Sequence, residues 1–271
     1  MKKTLALTCV LLPWIVSAAT NITVPNNSFE SQIAGPPFGI NNNIDSWQKS
    51  PKPAWFDEST SGILWTQLTG NFANTPPTSS DHIDNVNGNQ AVYLFAVPTV
   101  ALFQDYNSTD WNHSTPTHAF DATYEVGKSY QLAVGVIGGG GNMAPGTIFQ
   151  LSLYYRDASN NIVTVVATNI VYTPETFPTT THLIDYAVNV PEVNPHDAWA
   201  GQKIGIQLLS VYGTGPGYWD LDNVRLTSDE PTSDEDNDGG KKHRKGHGKG
   251  HGKAKGHGKG HKDGDKDDEE N

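Results

Sequence analysis

The sequence predicts an all-β protein: a two-sheet antiparallel β-sandwich or jelly roll, followed by a disordered tail. Three observations point there. Apolar residues alternating with polar ones at period two recur along the body, and convincing helical periodicity does not. Turn signals rich in Gly and Asn separate these runs. The chain carries 27 Gly and 17 Pro with only 17% charged residues, which argues against a helical bundle or coiled coil.

The chain opens with an export signal. Lys2 and Lys3 form a positive start, residues 5–16 an apolar run, and Ser17-Ala18-Ala19 a small-residue cleavage site. The run is short for a bilayer span, so residues 1–19 read as a signal peptide, with no transmembrane segment expected and a secreted, periplasmic or cell-surface destination. Cys9, the only cysteine, lies inside it, which excludes disulfides and cysteine-based zinc sites from the mature chain.

The folded body is read as residues 20–227. Strands are expected at residues 91–97, 100–106, 130–136, 149–155, 162–172, 184–190, 204–208 and 219–226, eight or nine in all. Phe149, Leu151, Leu153 and Tyr155 would share one face of such a strand, and Tyr130, Leu132, Val134 and Val136 one face of another. The segments 31–62 and 70–89 resist strand assignment. Long segments of this kind in a compact domain are functional or disordered, and Trp47, Trp55 and Phe56 favour ordered loops. Gly138 to Gly141 lacks the lysine and helix of a phosphate loop and reads as a flexible hairpin loop.

The formal net charge of −11 resides in the body, which has 6 Lys+Arg and 17 Asp+Glu. An acidic body argues against nucleic acid as a specific partner. The tail, residues 228–271, has almost no apolar residue and cannot offset the entropy of ordering. Its His243, His247, His251, His257 and His261 alternate with Gly and Lys. Three readings stand for it: a solvated, self-neutralising tail, a binder of anionic polymers, or a loose site for Zn²⁺ or Ni²⁺.

Asp220 and Asp222 stand two apart on an expected strand, on one face and about 6.6 Å apart, with Val224 and Leu226 continuing that face. If it is the core, one carboxyl is buried or metal-bound, and a buried one has a raised pKa and can donate a proton. Sugar rings stack on exposed aromatics, and Trp47, Trp55, Trp65, Trp111 and Tyr93 are the candidate platforms.

Short motifs bracket the body. Val24-Pro25-Asn26-Asn27-Ser28-Phe29-Glu30 stands near its start, then Gly88-Asn89-Gln90-Ala91-Val92-Tyr93-Leu94, Leu102-Phe103-Gln104 and Tyr124-Glu125-Val126-Gly127-Lys128-Ser129-Tyr130-Gln131-Leu132. Trp219-Asp220-Leu221-Asp222-Asn223-Val224-Arg225-Leu226 closes it. This order resembles the secreted galactose-binding-like jelly rolls, a superfamily that includes many carbohydrate-binding modules and the bacterial Stig cyclases. The resemblance implies a structural Ca²⁺ held by Glu30 and Asp222, which suits the oxygen ligands calcium prefers. Its commoner role implies a non-catalytic module that binds extracellular polysaccharide or matrix. Its second role implies an enzyme in which buried Asp222 or Asp220 acts as general acid in cyclising or rearranging a small hydrophobic substrate. The sequence favours the binder and keeps the cyclase as the alternative.

Overall fold

The structure is a computed structural model. It describes residues 19–35, 39–109, 120–213 and 215–230. All but the last residue of the expected signal peptide, together with Trp111 and the five tail histidines, lies outside the described residues.

The eight expected strands are all present, and the segment before them adds four short ones. In chain order they are β1 (Thr20–Ile22), β2 (Ile40–Asn41), β3 (Gln48–Lys49), β4 (Thr69–Ala73), β5 (Gln90–Phe95), β6 (Ala101–Gln104), β7 (Ser129–Gly140), β8 (Ile148–Arg156), β9 (Ile162–Val171), β10 (Ile184–Val190), β11 (Gly205–Tyr212) and β12 (Tyr218–Asp229). One sheet runs β10-β7-β12-β5-β4-β2, with β1 also on β12. The other runs β3-β6-β11-β8-β9. All pairings are antiparallel.

Period-two patterning explains how the sheets stack. Leu132, Val134 and Val136 of β7 and Phe149, Leu151 and Leu153 of β8 are fully buried in one core between the sheets. Full burial of each such side chain contributes roughly 1.5–3 kcal/mol. Trp219 and Leu221 of β12 join them.

The two segments that resisted strand assignment are ordered by side-chain anchors. The Asn71 amide donates to the carbonyls of Phe29 (3.1 Å), Ser31 (3.0 Å) and Gln32 (3.2 Å). Phe29 packs on Trp47 with ring centroids 5.4 Å apart. A single helical turn, α1 (Glu58–Ser61), starts at Asp57, whose side chain accepts from the Ser59 N–H. The glycine run departs from expectation. Gly138, Gly139 and Gly140 end β7 rather than forming a free hairpin loop. A Cβ on Gly140 would sit 2.3 Å from the Tyr218 ring, so the strand needs glycine there for the ring to lie flat on it.

Candidate active site

The two aspartates of β12 share a face, as their spacing requires, but Val224 and Leu226 do not continue it. β12 is bulged against β7 between Asp222 and Arg225, where Asn223 takes φ 55°. The extra residue reverses the alternation. Trp219 and Leu221 before it, and Val224 and Leu226 after it, all reach the inter-sheet core. Asp220 is thereby left on the outer face of the sheet, where it lines a cavity.

That cavity has a volume of about 880 Å³. Its floor is the outer face of β7, β12, β5, β4 and β2. Tyr93 and Phe95 meet edge to face at 5.8 Å, and Phe95 meets Tyr218 at 6.0 Å, forming a row of rings across the floor. Phe72 and Ile40 extend it, and Gln67 and Ile63 close one side. Two loops bring Asp81, Ile83 and Thr180 over it. Asn74 ties the first loop, with its amide donating to the Ile83 carbonyl and its Oδ1 accepting the Ile83 N–H. Asn85 fastens that loop to the second, accepting from the Leu183 N–H (2.8 Å) and donating to the Leu183 carbonyl (2.9 Å).

Within this setting Asp220 makes no hydrogen bond or ion pair among the described residues. Loss of water pushes its pKa up to about 8, so the carboxyl holds its proton near neutrality. Asp220 is half-buried, and its exposed part faces the cavity, so the shift is largest when a bound apolar molecule displaces the cavity water. The Tyr218 phenol is raised by burial and then by the charges of Asp220 and Asp81. Burial lifts the Tyr93 phenol to about 12, and its hydroxyl donates to Asn42 Oδ1 (2.8 Å), with the Gln67 carbonyl 3.1 Å away. A neutral acid among aromatic rings can protonate a π bond or a basic atom and leave the resulting cation facing ring quadrupoles.

Asp222 has a different setting. It is fully buried, and its Oδ2 accepts the Asn87 N–H at 2.6 Å while its Oδ1 has no partner. Glu30 Oε1 accepts from the N–H groups of Asn89 (2.9 Å) and Gln90 (2.8 Å), so the two carboxylates grip one turn. Gly88 at φ 108° passes so close that a Cβ would lie 2.5 Å from the Glu30 carboxyl carbon. Burial, with the Glu30 charge adding to it, pushes Asp222 up to about 7 against the Asn87 and Asn223 N–H groups. No cluster of three or more His, Cys, Asp or Glu that could hold a metal exists among the described residues. The orphaned Oδ1 beside a second carboxylate still fits one hard cation completed by carbonyl oxygens.

The aromatic platforms fare unevenly. Trp47 and Trp65 are core residues whose indole N–H groups donate to the carbonyls of Asn26 (3.1 Å) and Ser50 (2.7 Å). Trp55 alone of the expected tryptophans is exposed among the described residues, at 57%, and it packs edge-on against Trp65. Tyr93 is in the cavity. Tyr218 and Asp81 were not singled out in the sequence. Tyr218 directly precedes the Trp-Asp motif and could have been read as its outward neighbour, whereas Asp81 sits in an irregular segment with no pattern to mark it.

Comparison with known proteins bears on the choice between binder and enzyme. A family described as HpiC1-like, HpiC1 cyclase, matches residues 20–227. No curated protein matches the chain. Among solved structures, a Stig cyclase, Fisc, from Fischerella sp. TAU in complex with (3Z)-3-(1-methyl-2-pyrrolidinylidene)-3H-indole is 19% identical. The match covers 79% of this chain and all of that one, with a TM-score of 0.55. A cyclase from Fischerella sp. TAU is 20% identical over 79% of this chain and 99% of that chain, with a TM-score of 0.55. Another, in complex with 4-(1H-Indol-3-yl)butan-2-one, is 19% identical over the same shares, with a TM-score of 0.54. At these identities the structural likeness speaks for the fold. The family match overturns the expected partners, polysaccharide or matrix for a non-catalytic body and anionic polymers for the tail, and the burial of Trp47 and Trp65 removes two of the expected platforms. Among the described residues no helix is long and apolar enough to cross a membrane.

Proposed function

The chain belongs to the HpiC1-like cyclase family, and from that premise we propose that it catalyses an acid-initiated cyclisation or rearrangement of a small, largely hydrophobic molecule, with Asp220 as the proton donor. One observation carries the reading: the Asp220 carboxyl opens, without a partner, onto the ring-lined floor of a cavity of about 880 Å³. The proton leaves Asp220 for a π bond or basic atom of the substrate, a carbon–carbon bond closes or shifts onto the cation, and loss of a proton restores neutrality. The rings of Tyr93, Phe95 and Tyr218 shape the substrate and face the positive charge. The Tyr93 hydroxyl, held by Asn42, fixes one ring of that wall.

A calcium ion belongs to the proposal as a structural clip, held by Glu30 and Asp222 and drawing the 87–90 turn onto β12. It would supply charge to the orphaned oxygen and no step of the reaction.

The neighbouring cyclases hold indole compounds, which makes alkenyl-substituted indoles the first substrates to screen. Turnover in D₂O should place one deuterium at the carbon that receives the proton, read by mass spectrometry. Asp220→Asn should lower turnover and label together by roughly 10²–10⁴-fold. A variant that is folded and still turns over at the wild-type rate would remove Asp220 from the reaction.

A further inference from the structure

We infer that the cavity selects a substrate with a cationic nitrogen at one end and an apolar body at the other. The inference rests on the cyclase reading of this cavity and names its substrate class.

The charge balance of the lining is one-sided. Asp81 and Asp220 are the acids, and no Lys, Arg or His lies among the described lining residues. The basic residues of the body are committed elsewhere. Lys52 pairs with Glu58, Lys128 with Glu125 and Glu230, Arg156 with Asp105, Lys203 with Asp121 and Arg225 with Asp185. Lys49, the sixth, donates to the carbonyls of Thr66 and Thr69. Nothing positive therefore offsets the Asp81 carboxylate, whose charge reaches the Tyr218 ring. A cation seated there meets a carboxylate and an aromatic face together, the pairing that favours ammonium over a neutral group of the same shape.

The strand order gives the cavity a direction. Tyr218 and Asp220 stand on β12, Phe72 on β4 and Ile40 on β2, three strands away. At the usual strand spacing that is roughly 14 Å. The β12 end is acidic, and Phe72, Ile40 and Ile63 give the far end its apolar surface, beside the uncharged Asn42 and Gln67. An amphiphile with its nitrogen under Asp81 and its hydrocarbon toward β2 satisfies both ends. The net charge of −11 carried by the body also favours the approach of cations.

The test is calorimetric titration of the full chain with tryptamine, its neutral isostere 3-propylindole, and the anion indole-3-propionate. The ammonium compound should bind roughly tenfold tighter than the neutral one, with the anion weakest. Asp81→Asn, with an unchanged melting temperature, should lose most of that preference. Equal binding of the three, binding of none, or a preference that survives in Asp81→Asn overturns the inference. Two results separate it from the cyclase reading. If Asp220→Asn stops turnover while wild type shows no charge preference, the substrate class falls and the reaction stands. If the preference holds and no proton-dependent turnover exists, the cavity is an amine-binding site and the cyclase reading falls.

Discussion

Asp220 and Asp222 are separated by one residue of β12 and differ in what surrounds them. Asp220 opens into the cavity without a partner, whereas Asp222 is sealed, with one oxygen on the Asn87 N–H and the other orphaned. The Asn223 bulge then returns β12 to the core. Under the proposed reaction the two neighbouring carboxyls take separate work, one for proton transfer and one for holding a turn.

Removal of the proton donor should be severe for rate and mild for folding. Asp220→Asn should lower kcat by roughly 10²–10⁴-fold, the usual worth of a positioned general acid. Far-UV circular dichroism should remain that of the wild type.

The pH profile follows from the upward shift of Asp220. The rate should be flat at lower pH and fall as pH rises through about 8, where the carboxyl loses its proton. Stability moves the same way. An unfolded aspartate titrates near 3.9, so below that pH both states hold the proton and the fold bears no penalty. Between there and about 8 only the unfolded chain ionises, and stability falls by at most about 1.4 kcal/mol per pH unit. Asp220→Asn should remove that slope. Thermal melts of both proteins between pH 5 and 9 should therefore diverge as pH rises, with the variant the more stable at the alkaline end.

Chelation tests the clip at Glu30 and Asp222. EDTA should lower the melting temperature and added Ca²⁺ restore it, and Asp222→Asn should abolish the response. An identical melt with and without chelator would leave the turn held by its hydrogen bonds alone.

Gly140 and Tyr218 form a second test of the cavity. Gly140→Ala places a Cβ about where the ring now lies. The ring must shift, costing roughly 1–3 kcal/mol of stability as overpacking does. The displaced ring should also raise KM more than it lowers kcat.

The tryptophans should separate by burial. Trp47→Ala empties a core site against Phe29 and should cost about 3–5 kcal/mol in urea denaturation. Trp55→Ala, at an exposed position, should change stability by less than about 0.5 kcal/mol.

Much of the fold was legible because several strands, β8 and β10 among them, carry apolar residues at period two. Phe149, Leu151 and Leu153 announce their shared face before any coordinate is known. The same rule misled at β12. A single bulge residue, Asn223, undoes the parity that would put Asp220 with Val224, and nothing local in Asp-Asn-Val marks the reversal. β2 and β3 are two residues each and owe their pairing to distant partners, β4 and β6, so no periodicity could reveal them. Two of the aromatic platforms, Trp47 and Trp65, failed for a related reason. Trp47 sits in a Pro- and Asn-rich stretch that looks exposed by composition, but its indole N–H finds the Asn26 carbonyl and the ring closes over the core. The cavity itself gathers residues from five strands and several loops, so only its Asp220 and its aromatic strand residues could be picked out beforehand.

The pairing of β1 with β12 sets Thr20 opposite Ser228. The body is therefore almost a closed ring of chain. A linker of a few residues could join those two positions, and the exposed turn at residues 157–161 could take the new ends in a circular permutant. Ser228 also stands eight residues along β12 from Asp220, roughly 26 Å at strand rise. Immobilisation through either terminus of the body would thus anchor the molecule at the pole away from Asp220, leaving the cavity mouth free for a substrate arriving from solution.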